Sequence, residues 1–164
     1  MYSKDKGNMN TEVVNGEIMI EVPEGFRVYD KAELDQAYTD SNPDRWGMTN
    51  DERHIVVSVF WHKNNALVVA LAGSREACKG TEKKLSKGLK NYGYVLEGFY
   101  QRDICGQKGH GFRHRYNLNG EEYISEVTLF MKGRVCYTVY CYTRSKDETA
   151  NRQILSDIVD SMSF

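Results

Sequence analysis

Gly111-Phe112-Arg113-His114-Arg115-Tyr116-Asn117-Leu118-Asn119-Gly120, continued by Tyr123 to Met131, Lys132-Gly133 and Val135 to Tyr142, decides the fold. Phe112, His114, Tyr116 and Leu118 alternate with Gly111, Arg113, Arg115 and Asn117, the two-residue period of a strand with one buried face. Asn119-Gly120 is a strong hairpin signal, because a type I′ turn needs positive φ at both central residues. Reading Lys132-Gly133 as a second two-residue turn gives a three-strand antiparallel meander over residues 111–143. The expected register sets Tyr116 opposite Tyr123, His114 opposite Ser125 and Phe112 opposite Val127, with Arg113 opposite Glu126 on the outer side. Across the second turn it sets Leu129 opposite Cys136, Val127 opposite Thr138 and Tyr123 opposite Tyr142.

The third strand differs in kind from the first. Cys136, Thr138, Tyr140 and Tyr142 line one side, and Val135, Tyr137, Val139 and Cys141 the other. Near-continuous apolar runs belong to strands covered on both faces. The sheet therefore needs cover from elsewhere in the chain.

Working outward, residues 1–11 read as a loose polar tail and 12–164 as one domain. Ile18, Ile20 and Val22 form a short strand ending at Pro23-Glu24-Gly25, and Phe26 with Val28 a second. Asp30 and Glu33 make a capping box for a short helix carrying Leu34, Ala37 and Tyr38. Thr39–Pro43 reads as a loop, Trp46 and Met48 as an edge strand, and Ile55–Trp61 as a β-branched and aromatic strand. Ala66–Ala72 fits either a strand or a short helix, with Gly73 favouring the helix. Cys78, Leu85, Leu89 and Tyr92 fall near helical spacing over Ser74–Tyr92. Tyr94–Asp103 is a further strand and Ile104–Gly109 a glycine-bearing loop. Ser145 and Glu148 form a second capping box, opening a helix whose buried stripe is Ile154, Leu155, Ile158 and Met162.

The fold class is α+β: a mainly antiparallel sheet with a C-terminal three-strand meander, sandwiched between helices. Val22-Pro23-Glu24-Gly25-Phe26, the meander and the ending Ile158-Val159-Asp160-Ser161-Met162-Ser163-Phe164 resemble the PsbP-like superfamily. That superfamily includes the photosystem II extrinsic subunit, a Ran-binding import factor and bacterial DcrB-like proteins. The resemblance covers nearly the whole chain and rests on structural turns and caps. It implies a binding or accessory module and transfers no functional residue.

A net charge of −1 over 164 residues gives no overall pull towards nucleic acid or an anionic membrane. The N-terminal stretch has no apolar signal core, and no run approaches the roughly 18 residues of a membrane span. Cys78, Cys105, Cys136 and Cys141 show no C-x-x-C pairing, which suits a reducing cytosol. The expected location is cytoplasmic.

Candidate chemistry is sparse. His110 and His114 share the i, i+4 spacing of a helical metal pair, but on a strand they sit about 13 Å apart, too far for one ion. His114 reads as a hydrogen-bonded core group. Cys105 near His110 lacks an orienting third group. Gly106-Gln107-Lys108-Gly109-His110-Gly111 leads into a strand rather than the helix N-terminus a phosphate needs, and its glycines read as a tight loop. Lys79, Lys83, Lys87 and Lys90, with Lys84 alongside, stripe one helix face that suits an acidic partner or a phosphate backbone, and a solvated face is the simplest reading. Trp46 beside Arg45 is either a binding residue or a plug at the sheet edge, the plug being simpler. No cofactor, metal or reaction is assigned.

The expected function is that of a soluble, non-catalytic module engaging a protein partner, with Arg45, Trp46 and His110 as candidate contacts. The alternative is a small-molecule-binding protein or enzyme with a pocket between sheet and helices near Trp46 and His110. Nucleic acid is disfavoured, no membrane partner is expected, and monomer or homodimer is open.

Overall fold

The computed structural model describes residues 10–38, 42–67 and 73–164. The chain runs β1 (Asn10–Val14), β2 (Ile18–Val22), β3 (Arg27–Val28), α1 (Lys31–Ala37), β4 (Arg45–Asn50) and β5 (Ile55–Lys63). It continues with α2 (Ser74–Gly88), β6 (Val95–Ile104), β7 (Gln107–Leu118), β8 (Glu121–Lys132), β9 (Val135–Arg144) and α3 (Glu148–Asp160). β1 and β2 form a separate ribbon. The other strands make one seven-stranded sheet in the order β3-β4-β5-β9-β8-β7-β6, antiparallel throughout.

The Asn119-Gly120 turn carries φ of 51° and 79°, and the register it sets is the expected one: Phe112 opposite Val127, His114 opposite Ser125, Tyr116 opposite Tyr123. The next hairpin is shifted by two residues. Leu129 lies opposite Thr138 and Met131 opposite Cys136, with Val127 opposite Tyr140 and Tyr123 opposite Arg144. The cause is the turn: Lys132 pairs with Val135, so Gly133 (φ 57°) and Arg134 form the loop instead of Lys132-Gly133. A shift of two leaves every side chain on its expected face.

The meander also extends one strand further back than expected. Ile104–Gly109 is not a loop, because Cys105-Gly106 turns tightly with φ of 52° and 68° and Ile104 pairs directly with Gln107. β6 to β9 are thus four consecutive up-and-down strands. Gly109 and Gly111 lie inside β7, where side chains from neighbouring strands crowd them. A Cβ at Gly111 would meet the Tyr100 ring at 2.4 Å and the Val127 carbonyl oxygen at 2.5 Å.

Both faces are covered. On one, Cys78 of α2 is buried against Phe112, Val127, Leu129 and Cys136, with Ala77 and Leu85 beside it. On the other, Ile158 and Val159 of α3 join Val57, Val59, Phe130, Tyr137 and Val139. The β1–β2 ribbon shares that second face through Val14, Ile18, Ile20 and Val22, so the cover is part helix and part ribbon. Met19 and Ser163 exchange backbone hydrogen bonds of 2.7 and 3.0 Å, tying the ribbon to the chain beyond α3.

The helix boundaries hold one correction. The α1 capping box is present, with the Asp30 carboxylate accepting from the Glu33 amide at 2.8 Å and Glu33 from the Asp30 amide at 2.9 Å. At the last helix, Ser145–Asp147 is a 3₁₀ turn, α3 begins at Glu148, and its N-cap has no side-chain hydrogen bond. Glu148 serves Arg113, Arg115 and Arg152 instead. β1 begins at Asn10, inside the stretch expected to be tail. Ala66 and Leu67 are helical, and the remainder of the ambiguous Ala66–Ala72 stretch lies outside the described residues.

Candidate functional site

β6 ends the sheet, and its outer edge has no neighbouring strand among the described residues. α2 packs across β7 and β8 rather than over β6. The α2 face of β6 is therefore open at Phe99 (52% exposed) and Leu96 (37%), and Val95 (55%) is exposed on the opposite face beside Arg115, with Tyr92 and Leu118 exposed nearby. Single exposed apolar residues are ordinary, whereas several along one strand edge mark an interaction surface.

Between β6 and the first half of α2 runs a groove of about 450 Å³, lined by Arg75, Cys78, Lys79, Phe99, Gln101 and His110. Tyr100 borders the groove only through its place in β6, because its side chain turns to the opposite, α3 face of the sheet. Its ring lies over Gly111, which is why that position has no side chain, and its hydroxyl meets Thr128 Oγ1 at 2.7 Å. Burial pushes the Tyr100 phenol well up.

His110 stands at the wall of the groove. Its Nδ1 meets the Ser74 hydroxyl at 2.7 Å, while Ser74 Oγ donates to the Lys108 carbonyl at 3.5 Å. This chain pins the first residue of α2 to β7. The thiols offer no nucleophile: burial first, then the Glu82 carboxylate, pushes Cys78 up to about 11. Burial likewise raises Cys105 to about 11, against a small opposing effect of Lys132.

The sequence candidates are not brought together. Trp46 is 9% exposed and packs in the core shared with α3 and the ribbon. Arg45 points to the opposite face, donates to Asp35 at 3.0 Å and lies over the Tyr38 ring. His110 shares the Arg45 face, four strand spacings away, roughly 19 Å. Trp46 and His110 therefore line no common pocket, which corrects the alternative small-molecule site. His114 is 1% exposed as expected, but neither ring nitrogen has a hydrogen-bond partner among the described residues. It is a core group without the expected hydrogen bond.

A second depression, about 160 Å³, lies on the α3 side between Arg102, Arg113, Glu126, Glu148 and Arg152. Arg113 pairs with Glu97, Glu126 and Glu148, and Arg115 with Glu97, Glu122 and Glu148. Burial alone would raise the Glu148 carboxyl, but hydrogen bonds from Arg113 and Arg152 outweigh it and hold the group at about 2. The charges there satisfy one another, so this is a fastening between β6, β7, β8 and α3.

What sequence reading missed is the exposure of β6. Val95-Leu96 and Phe99-Tyr100 are adjacent apolar pairs, which in a strand signal burial on both faces. Only the strand order reveals that this one stands at the edge.

No protein-family model and no curated protein sequence matches the chain. Its fold is that of an antiparallel sheet with helical cover on both faces, the PsbP-like arrangement. The solution structure of cyanobacterial PsbP (CyanoP) from Synechocystis sp. PCC 6803 superimposes with a TM-score of 0.70 at 12% identity, covering 99% of this chain and 96% of that one. The Ran-binding protein Mog1p of Saccharomyces cerevisiae superimposes with a TM-score of 0.59 at 12% identity, covering 94% and 95%. No helix among the described residues is long and apolar enough to cross a membrane.

Proposed function

We propose that this chain is a non-catalytic binding or accessory module that engages a protein partner along the β6 edge and its groove. The observation that carries the reading is the run of exposed Val95, Leu96 and Phe99 on the terminal strand of the sheet. It is supported by the fold shared with Mog1p, a Ran-binding protein. Of the residues chosen from sequence, His110 belongs to this surface, while Arg45 and Trp46 would act from β4 at the far side of the sheet. Four free cysteines, three of them buried, accord with a reducing compartment such as the cytoplasm.

Affinity capture from the native host with the wild-type chain and with Phe99→Asp tests this. Phe99 is half exposed, so the variant keeps its melting temperature and loses a partner that the wild type retains. Identical capture by both proteins refutes the assignment of this surface.

A further inference from the structure

We propose that the β6 edge accepts a short extended segment of the partner as an added strand, and that this segment turns acidic side chains towards α2. The inference rests on the preceding reading of the chain as a protein-binding module. β6 pairs with β7 without a further break from Gly98 to Ile104, the irregularity being confined to Leu96–Gly98. Alternate amide and carbonyl groups along an edge of that length face outward and can template another strand. The far edge of the sheet offers no equivalent, because β3 has two residues.

Of the charged guards on β6, Asp103 stands near the end of the strand on the α2 side, opposite Lys108, and the others are turned aside. Arg102 is drawn away by Asp160 at 2.6 Å, and Glu97 is held by Arg113 and Arg115. Phe99 and Gln101 face the groove, on the same side as the partners Phe112 and His110 that they oppose on β7. Side chains of an added strand pointing that way would lie beside Phe99 and beneath Arg75 and Lys79. Arg75, Lys83, Lys84, Lys87 and Lys90 have no ion pair among the described residues, and Lys79 has a long one of 3.7 Å to Glu76 on its own helix. Of the two cations lining the groove, Arg75 has no ion pair among the described residues and Lys79 only that long one, with Glu82 one turn further along α2 held by Tyr94, whereas the arginines of the opposite face are matched by glutamates. Charge complementarity selects an acidic and apolar segment.

A second copy of this chain fits poorly. Two β6 edges related by a twofold axis through the sheet would bring both lysine-bearing helices to the same face, cation against cation.

The probe is an alternating valine–aspartate heptapeptide, compared with its valine–lysine counterpart and with a valine–aspartate peptide N-methylated on alternate amides. The expected result is saturable binding of the acidic peptide with amide NMR shifts along Gly98–Ile104. Affinity drops at least tenfold for Arg75→Glu/Lys79→Glu and at least tenfold for the methylated peptide. Equal affinity for the lysine peptide, shifts that miss β6, self-association through β6 in sedimentation, or tighter binding of a single-stranded oligonucleotide overturns the proposal. If the acidic peptide fails while Phe99→Asp still abolishes capture of the host partner, strand addition falls and the binding module stands. If Phe99→Asp leaves capture unchanged, both fall.

Discussion

The His114 imidazole lies between the rings of Tyr94 and Tyr116, with centroids 5.1 and 5.7 Å away, and faces Ser125 across the strand pair. No carboxylate faces it, so burial alone lowers its pKa to about 4, from the ordinary 6.5. The unfolded chain then binds a proton that the folded chain refuses, between pH 6.5 and 4. Stability from this group is complete above 6.5 and falls as pH drops, by about 3 kcal/mol at pH 4. His114→Leu should remove that part of the slope, so urea unfolding of variant and wild type at pH 7 and pH 4 should diverge by this amount. Parallel loss in both proteins would mean that His114 is protonated without penalty. Gly111 is the other position where one residue decides the packing. Gly111→Ala forces a methyl group against the Tyr100 ring and a backbone carbonyl, and should cost about 1–3 kcal/mol in the same assay. A change under half a kcal/mol would mean that β6 yields easily at this point.

At the scale of elements, the meander was legible because its signals are local. Alternation and Asn119-Gly120 specify both strands and their register without any distant contact. The same dipeptide at Asn15-Gly16, after Val13-Val14, also announces the β1–β2 hairpin, although the short polar strand before it has the composition of a tail. Ser145 and Glu148 have the spacing of a capping box, yet Glu148 is claimed by arginines about thirty residues earlier, a contact that sequence cannot place. Glu148→Gln separates the two roles. A capping glutamine works about as well as a glutamate, whereas losing a largely buried partner of Arg113 and Arg115 should cost about 1–2 kcal/mol. Chemical denaturation with unchanged stability would restore the cap. The groove was illegible for a related reason: its walls come from α2, β6 and β7, and His110 gains its meaning only when Ser74 is beside it.

For the whole molecule, a net charge of −1 conceals an uneven distribution, with most cations of α2 unpaired among the described residues and ion pairs closed on the α3 side. The two ends of the sheet differ in the same way. One closes in a two-residue strand whose Arg27 is engaged by Glu33 and Asp51, and the other in ten residues of β6 bearing exposed Val95, Leu96 and Phe99. An apolar open edge invites pairing between chains once thermal motion loosens the fold, and a lysine on it is the usual guard. Phe99→Lys should therefore raise the temperature at which light scattering begins, while the melting temperature at low protein concentration moves by no more than a few degrees. Phe99 contributes a ring contact at 6.1 Å to Phe112 but is half in water, so little core energy is lost. Scattering that begins at the same temperature in variant and wild type would locate the sticky surface elsewhere than the edge of β6.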